Sequence, residues 1–176
     1  MGKLRKGLAC FFMEKTFKQL DNLGFVNRVQ ITATKGEKVT HQTGWMKNKV
    51  VSSADNGRNL ILQALSGDYV NSLEITHCEL GTGTTAAADA DTETETFAAR
   101  AQQGYVSVVG DELSIKFFFS TSLLPDDTYN ELTMWINGAA GEGTGHLFNH
   151  LVYTATPYVK ATGEDTTVEI KVTLNG

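Results

Sequence analysis

The chain has 176 residues, fifteen Lys or Arg against twenty Asp or Glu, and a formal charge of -5 at pH 7. That length suits one domain, large enough to bury a continuous apolar core without disulfides or metal. The acidic balance argues against nucleic acid as a partner, because phosphate binding is driven by clustered Lys and Arg. No stretch approaches the roughly 20 apolar residues that span a bilayer.

Residues 1–24 differ in kind from the rest. Lys3, Arg5, Lys6, Lys15 and Lys18 sit among Leu4, Leu8, Phe11, Phe12, Met13, Phe17 and Leu20, a basic and aromatic segment ahead of an acidic domain over 25–176. Such a segment serves either as an arm onto a neighbour or as an element closing the domain's own core. The opening imitates a secretory leader. Its apolar run over 7–13 stops at Glu14, however, and lacks a small-residue cleavage site, so the chain is expected to stay in the cytoplasm where it is made. Cys10 and Cys78 match neither a redox pair nor a zinc set and are expected to be reduced.

From residue 25 onward, alternation dominates. Val29, Ile31 and Ala33 against Gln30, Thr32 and Thr34 predict a strand with one wet face; the turn Lys35-Gly36-Glu37 then leads into a partner over 39–45. One helix is predicted over 59–65, with Leu60, Ile61, Ala64 and Leu65 on one side, Ser53 or Asp55 as N-cap and Gly67 as the stop. A strand over 73–80 follows. It runs into LGTGTTAAADADTETE at 80–95, a glycine- and threonine-rich turn with an acidic tail. Gly81 and Gly83 permit backbone angles closed to other residues, but no Gly-Lys-Ser/Thr ending follows to cradle a phosphate, so the loop is expected to shape the fold.

Beyond it, Gly110-Asp111 predicts a two-residue hairpin between strands at 105–109 and 112–119, the second with Leu113, Ile115, Phe117 and Phe119 on one face. A turn at Pro125-Asp126-Asp127 precedes alternation at Leu132, Met134 and Ile136, then an apolar run over 147–153. Val168, Ile170, Val172 and Leu174 against Glu169 and Lys171 close the chain. The fold expected is mainly all-β, an antiparallel β-sandwich or flattened barrel of about eight strands with one short helix. No fibre-like repeat is present.

Few residues point to chemistry. His146 and His150 lie four apart, but in a strand-like segment with no third ligand, so no metal and no cofactor is expected. Asp89, Asp91, Glu93 and Glu95 alternate like the start of a calcium loop, yet Thr94 stands at its glycine position and Arg100 at its closing Glu, which excludes an EF-hand. These acids are read as turn caps that keep a loop solvated. Ser107, Ser114 and Ser120 lie in no nucleophile pattern. Trp45, Tyr69, Tyr129, Trp135 and Tyr158 fill either a core, an interface or a sugar-stacking platform.

Residues 48–51, Asn56-Gly57-Arg58-Asn59-Leu60-Ile61, the strand to Leu80, Gly81-Thr82-Gly83-Thr84-Thr85-Ala86 and Asp91-Thr92, taken together, resemble a group of small tailed-bacteriophage structural proteins. These are often labelled tail fibre, tail or uncharacterised virion proteins. Leu147-Phe148 and the closing strand over 168–174 fit the same order; the resemblance covers roughly residues 25–176, and Ala87 stands where the pattern commonly has proline. It implies no catalytic residues. It implies a non-enzymatic virion component assembled in the host bacterial cytoplasm, a homo-oligomer whose partners are other virion proteins and copies of itself, with neither nucleic acid nor membrane. A tail-associated or appendage protein is the first expectation and a capsid decoration or cement protein the second. Candidate contact residues are Leu8, Phe11, Phe12 and Phe17 in the arm and Gly81, Thr82, Gly83, Thr84 and Thr85 in the loop. A reading of another class is a carbohydrate-binding module for host recognition, using Trp45, Tyr129 and Trp135 as its platform. A surface-degrading enzyme is disfavoured for want of paired carboxylates.

Overall fold

The computed structural model of the protein describes residues 24–69 and 71–175. The segment carrying Leu8, Cys10, Phe11, Phe12 and Phe17 lies outside them. Among the described residues, alternating apolar residues and glycine turns produce twelve strands and one helix: β1 (Gly24–Lys35), β2 (Lys38–Gln42), β3 (Met46–Lys47), β4 (Lys49–Val50), α1 (Gly57–Ser66), β5 (Ile75–Gly81), β6 (Phe97–Val109), β7 (Glu112–Phe119), β8 (Thr128–Tyr129), β9 (Glu131–Ile136), β10 (His146–Val152), β11 (Tyr158–Val159) and β12 (Asp165–Asn175). Eight of these exceed two residues, as the alternation predicts.

All main pairings are antiparallel, in the order β2-β1-β12-β7-β6-β5-β9-β10-β4, and the sheet curls into a half-barrel. Residues 46–50 link its two ends, because β3 pairs with β1 while β4 pairs with β10. The corner is made by β6. Its first half pairs with β5 and its second with β7, and the register slips between Gln103 and Tyr105, at Gly104. A bulge bends a strand and increases its twist, which lets β6 pass from one face of the fold to the other.

The core lies inside the curl of the sheet, built from Val29, Ile31, Leu80, Ile115, Phe117, Phe119, Leu132, Met134 and Ile170. The predicted inward faces of β1, β7 and β12 hold, except that Leu174 is 45% exposed. The β7 hairpin turns at Gly110, φ +58, which an L side chain rarely adopts. A two-stranded ribbon, β8 with β11, closes one end with the stacked rings of Tyr129 and Tyr158, 6.0 Å between centroids. Both prolines fall between strands.

The helix departs from expectation at its start. It begins at Gly57 with Asn56 as N-cap, and Asn56 makes no side-chain cap bond. Ser53 instead donates to the Asp91 carbonyl and Asp55 accepts from Gln63, so neither caps the helix. Leu60 is buried, but Leu65 points away and is 80% exposed. Gly67 stops the helix in the left-handed conformation, as predicted. No described helix is long and apolar enough to cross a membrane.

Candidate functional site

Strand β9 buries both faces. Leu132, Met134 and Ile136 enter the core as expected, but Glu131, Thr133 and Trp135 on the opposite face are buried as well. The Gly-Thr loop, folded back over the strands, and the turn after β9 cover this outer face. Pairing sets Arg100 of β6 beside Glu79 of β5, Glu79 beside Thr133 of β9, and Thr133 beside His150 of β10. A polar row therefore crosses four strands beneath a lid of loop.

Glu79 and Arg100 form a buried ion pair. Isolated buried charges are costly, so the remaining lone pairs must be filled. They are: Glu79 also accepts from the Gly143 amide at 3.0 Å and from the Thr94 hydroxyl. Trp135 Nε1 can only donate, and it does so to Thr133 Oγ1 at 3.0 Å; Thr133 lies 2.7 Å from Thr94 Oγ1. The proton order then runs Trp135 to Thr133 to Thr94 to Glu79, each hydroxyl accepting one bond and donating the next. Arg100 also donates to the Thr144 carbonyl at 2.7 Å and lies 5.3 Å from the Trp135 ring centroid. Burial, with Arg100 nearby, lowers the pKa of His77 on the same face.

Glu131 pins the loop. Its Oε1 accepts from the Gly83 amide at 3.0 Å and the Thr96 amide at 2.7 Å; its Oε2 accepts from the Glu95 amide at 3.0 Å. His150 donates from Nε2 to Glu131 at 3.1 Å and from Nδ1 to Asp91 at 2.6 Å. An imidazole donating from both nitrogens is an imidazolium. Burial alone would lower the His150 pKa, but the bonds to Glu131 and Asp91 outweigh it and raise the pKa. Burial likewise pushes the Glu131 carboxyl up, and the bonds from His150 and the three amides hold it below its usual value. Outside this centre, Thr85 gives Glu95 both its hydroxyl and its amide, which lowers the Glu95 pKa. Asp91 accepts from the Ala88 amide, and Asp89 meets Lys49 and Arg58. Asp91 and Glu95 do cap turns, as expected, whereas Asp89 makes ion pairs instead, and Asp91 also enters the buried network.

This arrangement orders backbone. Asp91 and His150 have the spacing of a catalytic dyad, yet the second imidazole nitrogen is held by a carboxylate where nucleophilic catalysis needs a hydroxyl or thiol. Bulging of β10 between Leu147 and Asn149 pairs His146 with core-facing Ile136 and His150 with outward Thr133, so the two histidines lie on opposite faces. Among the described residues no His, Cys, Asp or Glu cluster is arranged to hold a metal. Ser114 donates to Glu169, and Ser120 lies 3.0 Å from Ser122. Cys78 is a buried free thiol, its pKa raised by burial.

Two sequence expectations need correction. The sugar platform fails because Tyr129 and Trp135 are buried, Tyr129 bonded to the Pro125 carbonyl and Trp135 to Thr133; only Trp45, 41% exposed, shows a face, with Lys171 over its ring. Of the loop residues offered for partner contact, Gly81 and Gly83 are buried and Thr82 is half-buried, leaving Thr84 and Thr85 on the surface. A Cβ on Gly83 would come within 2.5 Å of the carboxylates of Glu131 and Glu95, so close approach is what the glycine provides there. From sequence, Glu79, Glu131 and Thr133 carry no assigned role, and Arg100 enters only as a residue that rules out a calcium loop. Their one signal is a mismatch: Glu, Thr and Trp occupy the supposedly wet side of β9, where repeated charges would be ordinary.

Compared with protein-family models, curated proteins and solved structures, the chain matches none.

Proposed function

We propose that this protein is a non-enzymatic structural component of a tailed-bacteriophage virion, present in several copies as a tail-associated or appendage protein. One observation carries the reading: the residues behind the resemblance converge in space and act on backbone. The Asn56 side chain accepts from the amide of Leu147 at 2.6 Å, joining the Asn-Gly segment to the Leu-Phe pair. A Cβ on Gly57 would strike the Val51 carbonyl, Gly83 donates to Glu131, and Asp91 holds His150. Phe148 enters the core. A motif of this kind encodes a rigid scaffold whose chemistry is exhausted by its own internal bonds. That suits a part of a particle better than a catalyst, which keeps a polarised group open to substrate.

Immunogold labelling of purified particles, with copy number by quantitative mass spectrometry, tests this. A small fixed copy number at the tail or neck is expected. Dense label over the head would make the protein a decoration component instead, and absence from purified particles would overturn the virion reading.

A further inference from the structure

Residues 105–109 of β6 read Tyr-Val-Ser-Val-Val. On one side they pair with β7; on the other, β5 pairs only as far as Gln102, so among the described residues this stretch is an unpaired sheet edge. It is also apolar and open to solvent, with Tyr105 52%, Val106 50%, Val108 69% and Val109 75% exposed. Soluble domains ordinarily guard such an edge with Lys, Pro or an inward charge. Residues 101–110 contain no charged residue and no proline.

The turn fixes which backbone groups face outward. Val109 and Glu112 close a two-residue hairpin and therefore bond to each other; by alternation, Val106 and Val108 direct their N–H and C=O groups to the free side. We propose that this edge pairs antiparallel with the same edge of a second copy, about a two-fold axis at Ser107. The edge is self-complementary in that register. Val106 meets Val108 of the second copy with their outward groups in line, and Tyr105 meets Val109, an aromatic and a β-branched side chain on one face. Charge agrees. Lys116 lies beside Tyr105 and Glu112 beside Val109, so the two symmetry-related Tyr105–Val109 rows across the junction each end in opposite charges. Val106 and Val108 also continue the row of Ile115 and Leu113, which carries the apolar face of the sheet into the second copy.

So short an edge buries less than the roughly 1,000 Å² of a stable interface, and the association in solution is accordingly weak. On a particle that holds several copies, a setting that rests on the virion reading, proximity raises the effective concentration. The test uses the full chain with Cys10→Ser as background. Across a non-hydrogen-bonded antiparallel pair the Cα atoms stand about 4.5 Å apart, within disulfide reach, so Ser107→Cys is expected to give a covalent dimer on mild oxidation. Thr121→Cys, exposed elsewhere, is expected to link far more slowly. Val108→Lys is expected to weaken self-association roughly tenfold or more by sedimentation equilibrium. The pairing is overturned if Ser107→Cys links no faster than Thr121→Cys, if Val108→Lys leaves association unchanged, or if the unmutated chain stays monomeric throughout. Failure of the Ser107 link in a chain that is found in particles removes the pairing alone, whereas a linked dimer absent from particles removes the virion reading alone.

Discussion

Glu131 and His150 face one another across β9 and β10, 3.1 Å apart, and each is buried with its remaining polar atoms bonded to the Gly-Thr loop. The carboxylate holds three loop amides and the imidazole holds Asp91. Replacing Glu131 by Gln keeps the shape but turns an acceptor into a donor aimed at donors. Glu131→Gln is expected to destabilise the fold by about 3 to 5 kcal/mol, the usual cost of removing one partner of a buried pair. Urea unfolding checks this; an unchanged midpoint would mean that the loop is not held by this residue.

The same pair sets a pH optimum. His150 has its folded pKa raised above 6.5, so its stabilisation is complete below that value and is lost as pH rises through the folded pKa. Glu131 has its folded pKa lowered beneath 4.5, so its stabilisation is complete above that value and is lost as pH falls through the folded pKa. Their joint contribution is largest between those two values. His77, with its lowered pKa, acts in the opposite sense to His150 as pH falls. The difference in melting temperature between the unmutated chain and His150→Gln isolates the alkaline limb. It is expected to shrink as pH rises, and a difference that stays constant from pH 6 to pH 9 would contradict an imidazolium at this position.

Two glycines in strand or loop should respond differently to a methyl group. At Gly83 the added Cβ lies 2.5 Å from carboxylate oxygens of Glu131 and Glu95. Gly83→Ala is expected to cost about 1 to 3 kcal/mol, as overpacking does. At Gly104 the nearest atom, the Lys116 carbonyl oxygen, is 3.9 Å away. Gly104→Ala is expected to stay within about 0.5 kcal/mol. Thermal melts of the two variants decide, and equal losses would show that the corner at Gly104 is as constrained as the loop at Gly83.

Phe117 and Phe118 are neighbours on β7 with opposite fates, the first fully buried and the second 54% exposed. Phe117→Ala is expected to cost about 3 to 5 kcal/mol through the cavity it leaves. Phe118→Ala should remain within about 0.5 kcal/mol. Reversed values in chemical denaturation would invert the sheet's faces.

Much of the architecture is legible along the chain because strand alternation is local. The inward faces of β1, β7 and β12, the hairpin turns at Gly36 and Gly110, and the helix stop at Gly67 all follow from neighbours in sequence. Alternation misleads wherever both faces of a strand are covered. In β9 it marks Leu132, Met134 and Ile136 as inward but has no means to show that Glu131 and Thr133 are buried too. The upstream half of β6 is missed for a related reason: Ala98, Ala99, Arg100 and Ala101 offer neither β-branched residues nor a clean period, and their pairing with β5 alone makes them a strand.

By itself, then, the sequence determined an antiparallel, mainly β domain with its turns, its single described helix and a Gly-Thr loop without phosphate-binding chemistry, since period, turn residues and caps act over a few positions. Tertiary structure alone decided that the loop lies over β9 and that buried carboxylates hold it. Glu131 meets the Gly83 amide across 48 positions and Glu79 meets the Gly143 amide across 64. Such partners are chosen by how the sheet curls, and a carboxylate enters the interior only once enough donors converge on it to replace the water it loses.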